Sequence, residues 1–307
     1  MPSPVLRIRG LTKRYGGFTA VEGVDLDVPE GDIYGFLGLN GAGKTTTLRM
    51  VVRLIRPTAG RVELFGEDVE AKFLDVIAKI GALVEIPAFY PWLSGRANLE
   101  VHRRLAGFPD RGRVDEVLAL VGLGGRGGDP VRAYSQGMRQ RLGIAQALLA
   151  RPRLVILDEP TNGLDPQGIA DIRGLIRRLN QSEGITFVIS SHQLHEIEIT
   201  CTRVGILRQG RLVREAPVRD LLGTAADAAL VRAEPADRAE DLCRSFPGAD
   251  RIDRAADGAL RLRLPPDRLA ALNAALVQGG CAVSEIAPLR QTLEELFLEE
   301  TQGPSPG

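Results

Sequence analysis

The apolar pattern changes period repeatedly along the first part of the chain. Candidate strands lie at 6–9, 32–37, 61–65, 154–157 and 186–190. Between them, residues 45–54, 137–150, 166–182 and 194–200 read as helices. This alternation predicts an α/β domain. The unbroken run Leu154-Val155-Ile156-Leu157 predicts a strand buried on both faces. Residues 204–207 and 211–213 flank Gln209-Gly210 and predict a hairpin.

Beyond residue 222 the pattern shifts. Residues 223–226 read as a linker, and 260–264 alternate Leu and Arg as a half-buried strand does. Leu269, Leu272 and Leu276 keep helical spacing, as do Leu289, Leu293, Leu296 and Phe297. The expected organisation is a first domain over 1–222, a small α+β accessory domain over 223–300 and a disordered tail over 301–307. The second domain shows no phosphate, metal or nucleophile pattern, so a packing or docking role is expected of it.

Composition narrows the class. The 307 residues are 44% hydrophobic and 25% charged, ordinary for a soluble globular protein. Lys plus Arg balance Asp plus Glu at 39 each, which argues against nucleic acid as the main partner. No run approaches the roughly 18 to 20 apolar residues of a membrane span. Residues 1–7 lack a leader pattern. Cys201, Cys243 and Cys281 are odd in number and far apart, giving neither metal spacing nor a disulfide framework. A reduced, cytoplasmic protein is expected.

The chemistry concentrates at Gly38-Leu39-Asn40-Gly41-Ala42-Gly43-Lys44-Thr45-Thr46, which has the G-x-x-x-x-G-K-[ST] spacing of a phosphate-binding loop. Its glycines let the backbone form a nest of N–H groups, and the helix that follows stabilises an anion at its N-terminus. Lys44 is the candidate for the β- and γ-phosphates, and Thr45 for a bridging Mg²⁺. Gly38, Asn40, Gly41, Gly43 and Thr46 complete the candidate nucleotide cradle. The loop by itself does not separate ATPase, GTPase and kinase.

Asp158 and Glu159 follow the run at 154–157, at the end of a strand where open α/β sheets bind ligands. Asp158 is a candidate for orienting Mg²⁺, and Glu159 for polarising the attacking water as a general base. Ser135, within Tyr134-Ser135-Gln136-Gly137-Met138-Arg139-Gln140-Arg141, is a natural helix N-cap. The same serine, with the Gly137 N–H and the helix dipole, also suits an anion. Physics alone favours the cap.

The order P-loop, Ser-x-Gly, Leu-Asp-Glu-Pro and Ser190-Ser191-His192 resembles the ATP-binding cassette (ABC) ATPases over roughly residues 4 to 220. The resemblance implies a P-loop NTPase fold with a helical subdomain. Residues 134–138 are similar to the family's signature, usually Leu-Ser-Gly-Gly-Gln; Gln136 here replaces a glycine and Met138 the glutamine. The family sets the counterparts of Ser135 and Gly137 against the γ-phosphate. It places Tyr15 against adenine, where the alternative is an ordinary partly buried tyrosine. It makes His192 the switch histidine at the γ-phosphate, and it puts Asp165 of Gly163-Leu164-Asp165 in the loop joining two halves of a dimer.

Glu85 departs from the family, which usually has glutamine at the end of such a strand. Glutamate there would serve Mg²⁺ and catalysis differently, binding metal more strongly while adding an anion beside the triphosphate. Drug, antibiotic and bacteriocin exporters look similar in having glutamate followed by an aromatic, Pro-rich segment, here Pro87-Ala88-Phe89-Tyr90-Pro91-Trp92. That segment is expected against a membrane partner, or packed in the core. Residues 288–299 are similar to the C-terminal segment of drug-exporter ATPases, a weaker match because amphipathic helices are common.

The resemblance therefore implies an ATP-hydrolysing exporter subunit using ATP and Mg²⁺. It would close as a homodimer on a separate integral-membrane permease, peripheral on the inner face of the membrane. The rivals are an importer ATPase with a regulatory C-terminal domain and a soluble cassette ATPase of translation or DNA repair. A GTPase or kinase leaves residues 135–140 and His192 unexplained and lacks a guanine-reading Asn-Lys-x-Asp.

Overall fold

The apolar runs at 32–37, 154–157 and 186–190 become neighbouring interior strands of one sheet. The computed structural model describes residues 4–85, 87–223, 228–255, 257–288 and 293. By its contacts the chain divides into two units, Met1–Val218 and Arg219–Gly307.

In chain order the first unit contains β1 (Leu6–Tyr15), β2 (Phe18–Val28), β3 (Ile33–Leu37), α1 (Lys44–Val51), β4 (Ala59–Leu64), β5 (Glu67–Asp68), α2 (Phe73–Ile77) and β6 (Ile80–Leu83). A helical stretch follows, with α3 (Gly95–Leu105), α4 (Arg113–Leu120) and α5 (Gln136–Leu148). The chain then runs through β7 (Leu154–Asp158), α6 (Pro166–Glu183), β8 (Thr186–Ser191), α7 (Leu194–Thr200), β9 (Arg203–Arg208) and β10 (Arg211–Pro217). Helix α8 (Val218–Gly223) crosses into the second unit.

Among the described residues, six strands form a sheet in the order β10-β9-β3-β8-β7-β6. Strands β9, β3, β8, β7 and β6 run parallel, and β10 adds an antiparallel edge. Burial explains the apolar runs. Every residue of β3 and β8 is buried, and β7 is buried from Leu154 to Leu157. Helices cover the sheet closely. A Cβ at Gly35 of β3 would lie 2.7 Å from Ile197 of α7, and one at Gly81 of β6 would lie 2.2 Å from the Ala147 carbonyl of α5.

A second, antiparallel sheet, β2-β1-β4-β5, shares one core with α1 and the larger sheet through Leu6, Ile8, Leu26, Leu48, Leu64 and Ile156. The hairpin expected at Gln209-Gly210 is present. Both turn residues have positive φ (48° and 82°), matching the twist that two-residue hairpins need. The helix expected over 45–54 ends earlier, at Val51, and Arg53 turns into the left-handed region. The strand expected over 6–9 extends to Tyr15 and pairs with β2, which the periodicity did not announce.

The second unit is built from β11 (Ala228–Glu234), α9 (Ala236–Ser245), β12 (Asp250–Arg254), β13 (Leu260–Arg263), α10 (Leu269–Gln278) and β14 (Ala282–Pro288). The βαββαβ sequence folds into an antiparallel sheet ordered β12-β13-β11-β14, the split-βαβ arrangement of ferredoxin-like folds. Leu260 and Leu262 face the core while Arg261 and Arg263 face out, as the alternation requires. The linker at 223–226 and the helix through Leu289, Leu296 and Phe297 lie outside the described residues, apart from Gly223 and Leu293; Leu293 is buried. The tail over 301–307 also lies outside them. All three cysteines are buried free thiols; burial pushes Cys201 up, and pushes Cys243 up to about 11.

The contact at Gly81 yields a test of the helix–sheet packing. Gly81→Ala sets a methyl against a backbone carbonyl and is expected to cost about 1–3 kcal/mol in denaturant unfolding. Gly17→Ala, whose Cβ meets nothing within 4 Å, is the control and stays within about 0.5 kcal/mol.

Candidate active site

Strand order gathers the candidate residues. With β8 between β3 and β7, Leu37 lies beside Ser191 and Asp158 beside Ser190. The phosphate loop leaves β3, Glu159 leaves β7 and His192 leaves β8, all at the carboxyl ends where open α/β sheets bind ligands.

Between β3 and α1 the loop residues Leu39, Asn40 and Gly41 are exposed, and Gly38 and Gly43 are buried. Gly43 has φ 103°, and a Cβ there would lie 2.6 Å from the Ala20 carbonyl of β2. Only glycine meets both demands. A Cβ at Gly38 would lie 2.7 Å from the Leu207 carbonyl. Strands β2 and β9 thus clamp the loop into its curve. Thr45 and Thr46 are half-buried on the first turn of α1.

Lys44 is 5% exposed, and its Nζ donates to the Gly38 carbonyl at 2.7 Å. It also lies 3.3 Å from Glu159 Oε1. The other oxygen of that carboxylate, Oε2, is 2.6 Å from His192 Nδ1. A carboxylate only accepts, so Nδ1 carries the hydrogen and donates. One carboxylate therefore joins the phosphate-loop lysine to the histidine. Glu159 sits at φ 50°, a backbone state costing roughly 1–3 kcal/mol for a non-glycine residue. Two bonds hold it: its N–H donates to Ser190 Oγ at 2.9 Å, and its carbonyl accepts from the Asn162 N–H at 3.1 Å. The Ser190 hydroxyl in turn donates to Asp158 Oδ1 at 2.5 Å. Ser190 thereby spaces the two acids. The sequence signal for it was a buried polar residue closing an apolar strand.

The remaining candidates lie apart from this cluster. Ser135 caps α5, accepting from the Met138 N–H at 3.2 Å, and Ser135 itself is exposed. Gly137 follows on the first turn. Asp165 caps α6 through the Gly168 N–H at 2.7 Å, with Pro166 next. Tyr15 is 48% exposed with Lys13 Nζ 5.0 Å from its ring centre. It pairs across the hairpin with Phe18, a second exposed aromatic, close to the Ala20 carbonyl that packs on Gly43. Glu85, at φ 81°, pairs with Arg49 Nη2 on α1 and is mostly exposed. Tyr90 and Trp92 are also exposed, so core packing does not explain them.

The candidate metal donors are hard oxygens, the Thr45 hydroxyl and the Asp158 and Glu85 carboxylates, of which Glu85 is paired with Arg49. Among the described residues, no three His, Cys, Asp or Glu side chains cluster as a metal cage. Few protein ligands of this kind suit Mg²⁺, which keeps waters and takes phosphate oxygens. Removing the Ser190 hydroxyl leaves Glu159 N–H and Asp158 without their shared partner. Ser190→Ala is expected to lower nucleotide hydrolysis about tenfold to a hundredfold, read from steady-state phosphate release.

The chain is similar to known proteins in sequence and in fold. The sequence model of the family described as "ABC transporter" matches residues 21–162. The chain is 40% identical to the bacitracin transport ATP-binding protein BcrA of Bacillus licheniformis, covering 97% of each chain. It is 36% identical to the daunorubicin resistance ATP-binding protein DrrA3 of Streptomyces coeruleorubidus, over 98% of this chain and 97% of that one. Among solved structures, a dimeric ATP-binding cassette in a post-hydrolysis state, bound to ADP and Pi, superposes with a TM-score of 0.63 at 26% identity. That likeness covers 70% of this chain and 99% of the cassette. A P-loop, a glutamate and a histidine on adjacent strand ends, together with relatives alike over nearly their whole length, place the chain in the ABC transporter family, as an ATP-binding and ATP-hydrolysing subunit.

Proposed function

We propose that the chain powers an exporter of an antibiotic, drug or peptide, closing as a MgATP-bound homodimer on a separate permease at the inner face of the membrane. The observation that carries the hydrolytic role is the Glu159 carboxylate held between Lys44 and His192. ATP would enter with its phosphates over the loop N–H groups and its adenine against Tyr15. Lys44 would turn from the Gly38 carbonyl and Glu159 to the β- and γ-phosphates. That exchange frees a Glu159 oxygen for water. Glu159 accepts the proton as the water oxygen bonds the γ-phosphorus and the bond to ADP breaks. Thr45 and Asp158 would hold Mg²⁺, which would supply neutralisation of phosphate charge. His192 keeps the carboxylate aligned and sits ready for the γ-phosphate.

Ser135 and Gly137 lie outside the Lys44–Glu159–His192 cluster and present an exposed helix N-terminus, which suits a nucleotide held by a second copy. Export is favoured over import by the relatives named for bacitracin transport and daunorubicin resistance. A soluble role in translation or repair is disfavoured by the same names. Among the described residues no helix is long and apolar enough to cross a membrane.

The aromatic segment suits the permease contact. Trp92 is 67% exposed and its ring centre is 5.7 Å from that of Tyr90. Asn98, fully buried on α3, fixes the loop beneath them; it accepts from the Tyr90 N–H and donates to the Tyr90 and Ser94 carbonyls. A pre-set aromatic pair is the kind of anchor that dominates an interface.

Two variants test the reading. Glu159→Gln is expected to lower hydrolysis at least about a hundredfold, within the range of a lost general base, and to trap a dimer with MgATP in size-exclusion chromatography. A monomer under saturating MgATP would sink the two-chain site. Glu85→Gln is expected to keep ATPase activity within about fivefold, the reach of an exposed ion pair with Arg49. A loss beyond a hundredfold would give that carboxylate its own task at the metal.

A further inference from the structure

The residue that breaks the signature pattern makes a contact of its own. Gln136, the first residue of α5 after the Ser135 cap, donates from Nε2 to the Asn162 carbonyl at 3.2 Å. Its amide lies over Gly163, where a Cβ would be 2.5 Å from Nε2, and Gly163 has φ 72°. A side chain at 163 would expel the Gln136 amide as well as strain the backbone. Asn162 in turn donates its N–H to the Glu159 carbonyl. A continuous path of two hydrogen bonds through the backbone of Asn162 therefore runs from the N-terminus of α5 to the backbone of Glu159. The glycine usual in this family at position 136 has no side chain with which to make such a bond.

We propose that Gln136 is a positioning residue coupling the two ATP sites of the dimer within each chain. One end of its contact is the α5 terminus bearing Ser135 and Gly137, the surface offered to the partner's nucleotide. The other end is the loop from Glu159 to Asp165, which sets the carboxylate acting on the chain's own nucleotide. Phosphate seated at the partner's site then draws on the Gln136 bond and fixes Glu159 in its left-handed backbone state. The inference rests on the dimer reading above.

Mixed dimers test it and keep the two readings apart. Full-length chains with two different affinity tags are paired so that one carries Glu159→Gln, which confines hydrolysis to the other chain's P-loop. Gln136→Ala is placed first in the hydrolysing chain, then in the Glu159→Gln chain. Coupling predicts a fall in kcat of about fivefold, the scale of one lost hydrogen bond, when the substitution is in the hydrolysing chain and none when it is in the Glu159→Gln chain, with KM for ATP within about twofold. It also predicts that the fall disappears when Lys44→Ala weakens nucleotide binding at the Glu159→Gln chain's own P-loop. Gln136→Glu, which keeps the length but aims a carboxylate at the Asn162 carbonyl, is expected to do the same. Gln136 is exposed, so melting temperatures should stay within about 2 °C of the parent. Slowing with the substitution in the Glu159→Gln chain would make Gln136 a local support of Ser135, slowing that persists with Lys44→Ala in that chain would make it a local support of the 162–165 loop, and slowing in neither chain would make it a surface residue. Any of these results overturns the coupling. Failure of Glu159→Gln to dimerise with MgATP defeats the two-chain site itself, and the coupling with it.

Discussion

A single carboxylate, Glu159, with one oxygen toward Lys44 and the other toward His192, is the interaction on which the rest of the first unit depends. Lys44 is almost fully buried, and a buried ammonium needs compensating acceptors. It finds them in the Gly38 carbonyl and in Glu159. Under the proposed function, phosphate oxygens take the place of these acceptors when nucleotide binds. Glu159 reaches this position only in a strained backbone state, and Ser190 and Asn162 hold it there.

That geometry needs three strand ends side by side, and the sheet order supplies them. Strand β3 lies well over a hundred positions before β7 and β8, yet β8 pairs with both β3 and β7 in parallel register. Parallel pairing requires both faces covered, which the flanking helices do at Gly35 and Gly81 with no room for a side chain. The clamp on the phosphate loop is similarly non-local. Carbonyls of Ala20 and Leu207, from β2 and β9, press on Gly43 and Gly38. Packing of the core and curvature of the nucleotide cradle are one problem.

Much of this was legible in the sequence, and for identifiable reasons. Runs such as 154–157 are apolar because the strand is buried on both faces, so period and burial speak together. Helix α6 announces itself through Asp165, Pro166 and Gly184, a side-chain cap, a pre-set φ and a left-handed end. Strand β2 was harder, because one edge of its sheet is solvated and its polar and apolar positions are interrupted by bulges. Arg49 as the partner of Glu85 was not legible at all; 36 residues separate them, and only the packing of α1 beside the end of β6 joins the pair. The second unit's topology was equally hidden, since strand order comes from crossovers that periodicity does not encode.

The two readings of Ser135, helix cap and phosphate contact, do not compete. A hydroxyl has one hydrogen to donate and two lone pairs. In the cap, Ser135 Oγ spends a lone pair on the Met138 N–H. Its hydrogen stays available to a phosphate oxygen, and the capped helix adds the field of its N-terminus in the same direction. Capping also removes the rotamer freedom that a serine would otherwise lose on binding, so the residue is pre-organised for a ligand brought by another chain. Under the proposed function, then, the bond that begins α5 also readies it for the partner's nucleotide, and Gln136, one residue on, is placed to report that event to Glu159.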